Sequence, residues 1–357
     1  MNSKSDFSSI THLLSEWYKS NKRDLPWRRT NDPYQIWISE IILQQTRVEQ
    51  GMPYFETIQS RFPNVRALAE SPLDELLKLW QGLGYYSRAR NMHTAAKQIT
   101  NDFNGVFPTN YDDLLKLKGI GEYTASAIAS IAFKEPKAVV DGNVFRVLSR
   151  LFSIDTPINT TEGKKLFSEL AGMILDNNHP DIHNQAMMDF GAMQCTPSNP
   201  DCLNCPLSNQ CLAFSLGKVQ VLPVKLAGAK KQVRYFHYLF LTDGHSTWIQ
   251  QRIQKDIWQQ LWEFPLIESD REETIETLLK REEVSQWAGP KSTFEAPVYL
   301  KHILSHRIIH ARFFTIHIVH KGALPQNWKE VKLSNVNEYA VSRLMDLFME
   351  KHSLINL

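Results

Sequence analysis

The sequence predicts an all-helical N-terminal part, a short linker and a smaller α+β C-terminal domain, and three observations carry that prediction. Apolar residues recur at helical spacing in Ile10–Tyr18, Tyr34–Val48, Leu73–Trp80, Ala89–Ile99 and Phe145–Phe152, with no alternation of strands and helices between them. From about Val219 to Val233 the chain turns to Pro, Lys, Gly and Ala, and its large apolar residues thin to Leu222, Val224 and Leu226, which suggests a linker lying against something. After Val233 the period changes to two, first in Arg234–Thr242, which ends at the turn signal Asp243-Gly244. The expected division is a helical domain at 1–220, a linker at 221–232 and an α+β domain at 233–357.

At 357 residues the chain is long enough for two or three domains with their own cores. A net charge of +2 leaves any nucleic-acid surface to the local arrangement of charge. Met1–Ile10 is polar and does not fit a signal peptide. No apolar run approaches the roughly 20 residues that span a bilayer. The expectation is an intracellular protein without a membrane anchor, cytoplasmic if bacterial.

In chain order, Trp37–Arg47 is expected as one helix, which places Glu40, Gln44 and Arg47 at i, i+4 and i+7 on one face. Ile36, Trp37, Ile41 and Leu43 surround Glu40, and Leu25-Pro26-Trp27-Arg28-Arg29 comes just before. Taken alone, that face equally describes an exposed polar stripe. Ser71-Pro72 opens the next helix, and Gly82-Leu83-Gly84 closes it.

The stretch from Leu114 to Phe133 predicts a helical hairpin. Leu114, Leu115 and Leu117 form a short helix, Gly119-Ile120-Gly121 breaks it, and small residues with isoleucines start a second helix at once. Amides at Gly121 and the next helix's first turn would point outward, a seat for a phosphate. Eighteen residues after Tyr123, Asp141 follows the apolar Ala138-Val139-Val140. An aspartate ahead of Gly142-Asn143-Val144 also suits a helix cap, and capping is compatible with chemistry. Paired with Asp141, Glu40 gains a meaning, since two carboxylates in different settings can hold different pKa values and take different roles.

All four cysteines fall in the loop 195–211, at Cys195, Cys202, Cys205 and Cys211. Disulfides do not suit an intracellular chain of this size. Zinc sites favour two paired knuckles, whereas here only Cys202 and Cys205 are paired, a spacing that suits a [4Fe–4S] cluster better; structural zinc stays as the alternative. In the last domain, Thr247–Arg252, Val298–Ile303 and Ala311–Val319 are expected as strands, and Glu272–Arg281 and Ser342–Lys351 as helices.

Together, the hairpin, the following aspartate and the four-cysteine loop resemble the helix-hairpin-helix DNA glycosylase superfamily. Within it the chain is similar over nearly its whole length to the MutY-type adenine DNA glycosylases. The segments that carry the likeness are Leu25–Arg28, Ser39–Val48, Gly82–Asn91, Val140–Val144 and Asn184–Gly191. The resemblance implies a two-lobed helical glycosylase domain with a [4Fe–4S] cluster and a C-terminal Nudix-like domain. It implies a DNA partner, double-stranded and carrying adenine opposite 8-oxoguanine or guanine, and an enzyme that works as a monomer. Lyase relatives of the endonuclease III kind carry a lysine two residues after the hairpin's second glycine. Here that position is Tyr123, which cannot form a Schiff base, so a monofunctional glycosylase is expected.

The resemblance also implies roles. Glu40 would be the general acid, Asp141 would stabilise the oxocarbenium-like sugar, and Tyr123 and Asn143 would support them. Trp27, Arg28 and Gln185 would line the adenine pocket, with Gln44 and Thr46 beside the substrate. Gln45 and Tyr85 would wedge into the base stack, and Gly119 and Gly121 would hold the phosphate. The Gly-led Arg-Glu-x-x-Glu-Glu-x-Gly box of nucleotide pyrophosphatases is absent, so the C-terminal domain is expected to bind and not to hydrolyse. Ser305 and His306 are its candidates for reading 8-oxoguanine, next to Leu304, where the family usually has an aromatic residue. Two rival functions are a bifunctional glycosylase/lyase and a non-catalytic iron–sulfur DNA-binding redox sensor.

Overall fold

The computed structural model describes residues 4–228, 230–320, 322–352 and 354. Helices succeed one another as far as Ser215: α1 (Lys4–Asn21), α2 (Pro33–Leu43), α3 (Val48–Arg61), α4 (Val65–Glu70), α5 (Leu73–Leu79), α6 (Ser87–Asp102), α7 (Tyr111–Leu114), α8 (Glu122–Phe133), α9 (Gly142–Leu151), α10 (Thr161–Ile174), α11 (Pro180–Met193) and α12 (Leu212–Ser215). No helix among the described residues is long and apolar enough to cross a membrane. The chain divides into two compact units. One takes the chain up to Glu70 together with Asn91–Ala227; the other takes Ser71–Arg90 together with the chain from Gly228 onward.

The first unit is built around α2 and α8. Asp32 caps α2 by accepting a hydrogen bond from the Tyr34 amide at 3.0 Å, and Pro33 occupies the first turn, where no N–H is needed. Eight of the residues in α2, from Tyr34 to Ile42, are buried, as expected of a helix that is apolar nearly all round. In α8, Ala125, Ser126, Ala127, Ala129 and Ser130 are buried, and their small side chains let α8 lie close against α2 and α11. Helix α9 packs on α10, α11 and α12.

The single helix expected over Trp37–Arg47 is corrected. Helix α2 ends at Leu43; Gln44 leaves helical geometry at ψ 110°, and Gln45 takes a left-handed φ of 58°. Arg47 is instead the N-cap residue of α3, so Gln44 and Arg47 do not continue the Glu40 face. The turn lets α3 fold back onto α2, where Gly51 approaches Leu43 and Ile42 so closely that an added Cβ would sit 3.0 and 3.1 Å from their side chains.

The linker does lie against something. Leu222 is buried, the Ile158 amide donates to the Val224 carbonyl at 3.0 Å, and the Leu226 amide donates to Asn159 Oδ1 at 2.9 Å.

The second unit is a twisted mixed sheet with helices on both faces. Its strands are β1 (Gln232–Thr242), β2 (Ser246–Gln251), β3 (Trp262–Glu263), β4 (Leu266–Ser269), β5 (Thr293–Phe294), β6 (Val298–Ile303), β7 (Arg307–His317) and β8 (Lys329–Lys332). Helices α13 (Ile275–Leu278) and α14 (Glu282–Ala288) precede β5, and α15 (Arg343–Lys351) comes last. Strand β1 runs parallel to β7 in register from Gln232 opposite Arg307 to Thr242 opposite His317. Its side chains alternate: Phe236, Tyr238 and Phe240 join the core under α15, and Leu239 and Leu241 join the core under α13 and α14. Both faces are covered, which is why β1 is apolar almost throughout.

Two expected elements shift here. The strand expected at Ala311 begins at Arg307, because β6 and β7 form a hairpin with Ile303 paired to Ile308. The helix expected over Glu272–Arg281 shrinks to α13: Thr274 caps it, it ends at Leu278, and Arg281 caps α14.

Segment Ser71–Arg90 is anchored within this unit. Lys78 Nζ donates to Asn337 Oδ1 at 3.3 Å, the Tyr86 hydroxyl donates to the Val341 carbonyl at 3.1 Å, and Arg90 Nη1 donates to the Gln259 carbonyl at 2.8 Å.

Candidate active site

A cavity of about 440 Å³ in the first unit gathers side chains from four separate parts of the sequence. Trp27 and Arg28 enter it from the turn before α2, and Glu40 from α2 itself. Thr46 comes from the turn after α2, Tyr123 from the first turn of α8, Asp141 and Asn143 from the start of α9, and Gln185 from α11.

Glu40 sits on a helix with no solvent face and is only 8% exposed. The Tyr123 hydroxyl donates a hydrogen bond to its Oε2. Burial pushes the Glu40 carboxyl up to about 7, and nearby Asp141 adds to the rise; the Tyr123 hydrogen bond and the Arg28 charge hold it back. A carboxyl poised there can carry a proton at neutral pH and give it away. Burial of Tyr123, beside two carboxylates, holds its phenol well above its ordinary value, so it stays a donor.

Asp141 caps α9. Its Oδ1 accepts from the Val144 amide at 2.8 Å and its Oδ2 from Asn143 Nδ2 at 2.8 Å. Burial pushes this carboxyl upward too, but the hydrogen bonds from Val144 and Asn143 oppose the shift. Both carboxylates are therefore desolvated, and they differ in what holds them: Glu40 has one phenol, whereas Asp141 has a backbone amide, a side-chain amide and a helix N-terminus, all of which favour the anion.

Several residues around this cavity were given no role by the sequence. Asp189 on α11 is fully buried, and Arg28 grips it with both Nη groups while Arg23 Nε donates to its Oδ1 at 2.7 Å. Arg146 donates to Asn143 Oδ1 at 2.9 Å and to the carbonyls of Gly191 at 2.6 Å and Cys195 at 2.8 Å, and so fixes the residue that holds Asp141. Asn184 accepts from the Val139 amide at 3.0 Å and donates to the Lys137 carbonyl at 2.8 Å, pinning the strand-like approach to Asp141. The only signal for these in sequence was polar residues inside apolar helices, and apart from Arg146 and Asn143 the partners lie 45 or more positions apart and give no local pattern.

Other expected residues lie outside the cavity. Gln44 Nε2 donates to Thr124 Oγ1 at 3.3 Å, and Gln45 is exposed on the turn. In the hairpin, Leu114, Leu117 and Ile120 are buried while Gly119 and Gly121 face solvent. Gly119 requires its glycine: φ is +79°, and a Cβ would lie 2.5 Å from that of Asn91. Gly121 has an ordinary φ of −98° and open space where a Cβ would sit, so its lack of a side chain matters only to something that approaches from outside.

Tyr85, Ser305 and His306 line a second cavity, of about 510 Å³, wholly within the second unit. The Tyr85 hydroxyl is hydrogen-bonded to Ser305 Oγ, and its ring is 47% exposed, not a core aromatic. Leu304 is tied at both backbone groups, its amide to the Arg307 carbonyl at 2.8 Å and its carbonyl to Lys231 Nζ at 2.9 Å.

Cys195, Cys202, Cys205 and Cys211 line one further, apolar cavity between α9, α11 and α12, with Val147, Leu151, Phe190 and Phe214. Arg150 Nη1 donates to Cys195 Sγ at 3.4 Å. Burial pushes the thiols of Cys202 and Cys211 upward and that of Cys205 to about 11, so thiolates here call for a cationic partner. Among the described residues, no three Cys, His, Asp or Glu are grouped to hold a single metal ion.

Residues 38–172 match the family model of the HhH-GPD superfamily base excision DNA repair proteins, and residues 237–351 match that of the NUDIX domain. An adenine DNA glycosylase of Buchnera aphidicola subsp. Baizongia pistaciae is 34% identical over 305 residues, covering 85% of this chain and 83% of its own. One from Buchnera aphidicola subsp. Schizaphis graminum is 37% identical over 275 residues, covering 76% and 78%. Among solved structures, a thermostable thymine-DNA glycosylase superposes with a TM-score of 0.55 at 29% identity, over 59% of this chain and 98% of its own. The chain belongs to the adenine DNA glycosylases, in the HhH-GPD superfamily of base excision DNA repair proteins.

Proposed function

We propose that this adenine DNA glycosylase removes adenine paired with 8-oxoguanine or guanine in double-stranded DNA, as a monomer and without strand cleavage. The observation that carries the reading is the shared cavity of Glu40, Tyr123 and Asp141. The target base leaves the duplex before chemistry, because a glycosidic bond inside the stack is out of reach. Glu40 gives its proton to adenine N7. The C1′–N9 bond then breaks, its electron pair leaving with adenine. Asp141, held as the anion by Val144 and Asn143, faces the positive charge that develops on the sugar. Water adds at C1′, its proton passes to a carboxylate, and an abasic site remains. Trp27, Arg28, Thr46 and Gln185 border the flipped base, Gln44 meets the substrate outside the cavity, Gln45 and Tyr85 enter the stack, and Gly119 and Gly121 bind phosphate.

We assign residues 1–220 to the helical catalytic domain, 221–232 to the linker, and 233–357 to recognition of the opposing base through Ser305 and His306. The four cysteines suit a [4Fe–4S] cluster: four thiols border one apolar cavity, and only Cys202 and Cys205 are closely paired in sequence. When bound, such a cluster would tie Cys195, just after α11, and Cys211, at the start of α12, to the loop between them. An intracellular enzyme is implied, cytoplasmic in a bacterial source.

The deciding experiment is a duplex carrying adenine opposite 8-oxoguanine, incubated with the protein and split between alkali and borohydride. Free adenine and alkali-labile abasic sites, without trapped covalent adduct, are expected. Adduct in high yield would indicate a lyase, and binding without adenine release would indicate a non-catalytic sensor.

A further inference from the structure

Asp189 is a charged side chain with no access to solvent, a placement that costs several kcal/mol per ion unless other groups answer it. It is answered twice. Arg28 meets it with both Nη groups, and Arg23 reaches it with Nε at 2.7 Å, Nη2 at 2.6 Å and its backbone amide at 3.2 Å. One anion therefore holds two cations. Burial pushes the Asp189 carboxyl upward, but the Arg28 and Arg23 hydrogen bonds outweigh it and keep the group ionised.

The two arginines also border the cavity that holds Glu40. That cavity is crowded with positive charge: Arg23 and Arg28 before α2, Arg47 ahead of α3, and Arg146 on α9. Facing them are the acids Asp141 on α9 and Glu49 on α3, with the neutral Tyr123 phenol from α8. Arg28 pulls the Glu40 carboxyl toward ionisation. Left unanswered, the arginines would favour the Glu40 anion, which has no proton to give.

We propose that Asp189 is a positioning residue of the reaction: by binding both Arg23 and Arg28, it fixes the guanidinium groups that border the Glu40 cavity and offsets the charge that would strip Glu40 of its proton. The inference rests on Glu40 being the proton donor.

The test is the pH dependence of single-turnover adenine release. Wild type loses rate as Glu40 deprotonates with rising pH. Asp189→Asn removes one negative charge, so this limb moves to lower pH. The expected shift is about one pH unit, the order of effect that one unit charge has on a nearby buried carboxyl at an effective dielectric of about 20. Arg23→Met removes one positive charge and moves the limb the other way. The double variant Asp189→Asn with Arg23→Met restores the charge and brings the limb back. A purely structural Asp189 lowers the rate equally at every pH and is not rescued by Arg23→Met; either result overturns the proposal. If Asp189→Asn does not fold, the Arg23→Met shift still decides, since an unmoved or lowered limb contradicts it. Glu40→Gln separates the two levels. Loss of the limb in that variant with no shift in the others refutes only the role of Asp189, whereas a limb that survives Glu40→Gln removes the proton-donor reading and this inference with it.

Discussion

Tyr123 and Glu40, 83 positions apart in the chain, are joined by a hydrogen bond from the phenol to the carboxylate. The residue that replaces a lyase lysine is thus also a direct partner of the proposed acid. The hydrogen bond favours the Glu40 anion and opposes the burial that raises it to about 7. Tyr123→Phe leaves only the Arg28 charge to oppose burial, so the high-pH limb of adenine release should move upward. A hydrogen bond to a charged group is worth about 1.5–3 kcal/mol, hence a shift of about one to two units. A limb that stays or moves down would sink the assignment.

Replacing either carboxylate should separate binding from chemistry. Glu40→Gln and Asp141→Asn keep the size of the side chain while removing the acid or the anion. Each variant should bind a mispair-containing duplex, yet release adenine at least about 100-fold more slowly. Single-turnover release beside a binding titration checks this. Loss of binding in parallel with rate would mean that the pocket had collapsed.

The same burial has a cost in stability. Below pH 4.5 Glu40 holds its proton whether the chain is folded or not, whereas between 4.5 and about 7 the folded form holds it and the unfolded form gives it up. Folding is therefore weakened as pH rises through that window, by up to about 3 kcal/mol above it. Glu40→Gln carries no such penalty. It should be more stable than wild type at pH 8, and the advantage should vanish near pH 4. Thermal melts at the two pH values measure the difference.

Much of this was legible in the sequence because it is local. The helical period, the cap at Asp141 and the alternation of β1 follow from neighbours a few residues apart. The break at Gln44–Thr46 was not legible, since nothing in Gln-Gln-Thr forbids a helix; the turn is imposed by the close approach of α3 to α2 at Gly51. Nor was Asp189: a lone aspartate in an apolar helix gains meaning only when Arg23 and Arg28 arrive from more than 160 positions away. The grouping of Ser71–Arg90 with the C-terminal unit escaped for the same reason, since its partners lie far along the chain.

The cysteine cavity predicts a composition. Purified protein should absorb in the visible and contain about four irons per chain. Cys202→Ser should lower iron content and melting temperature together, because the loop from 195 to 211 would lose one of the ligands that tie the end of α11 to the start of α12. Stoichiometric zinc without iron would replace the cluster with a structural zinc site.

Recognition of the opposing base is best probed by point substitution. Cutting the chain at Val221 would remove the groups that hold Ser71–Arg90, including the partners of Lys78, Tyr86 and Arg90. Any loss after truncation would then mix recognition with unfolding. Ser305→Ala and His306→Ala instead leave the β6–β7 hairpin intact, because its tip is tied through backbone atoms of Leu304, Arg307 and Gln232. Both variants should release adenine opposite guanine at nearly the wild-type rate. Opposite 8-oxoguanine each should be slower, Ser305→Ala by about 5- to 30-fold, the range expected when one hydrogen bond worth about 1–2 kcal/mol is lost. Competition between the two duplexes in one reaction reads the ratio directly, and an unchanged ratio in both variants would remove Ser305 and His306 from recognition.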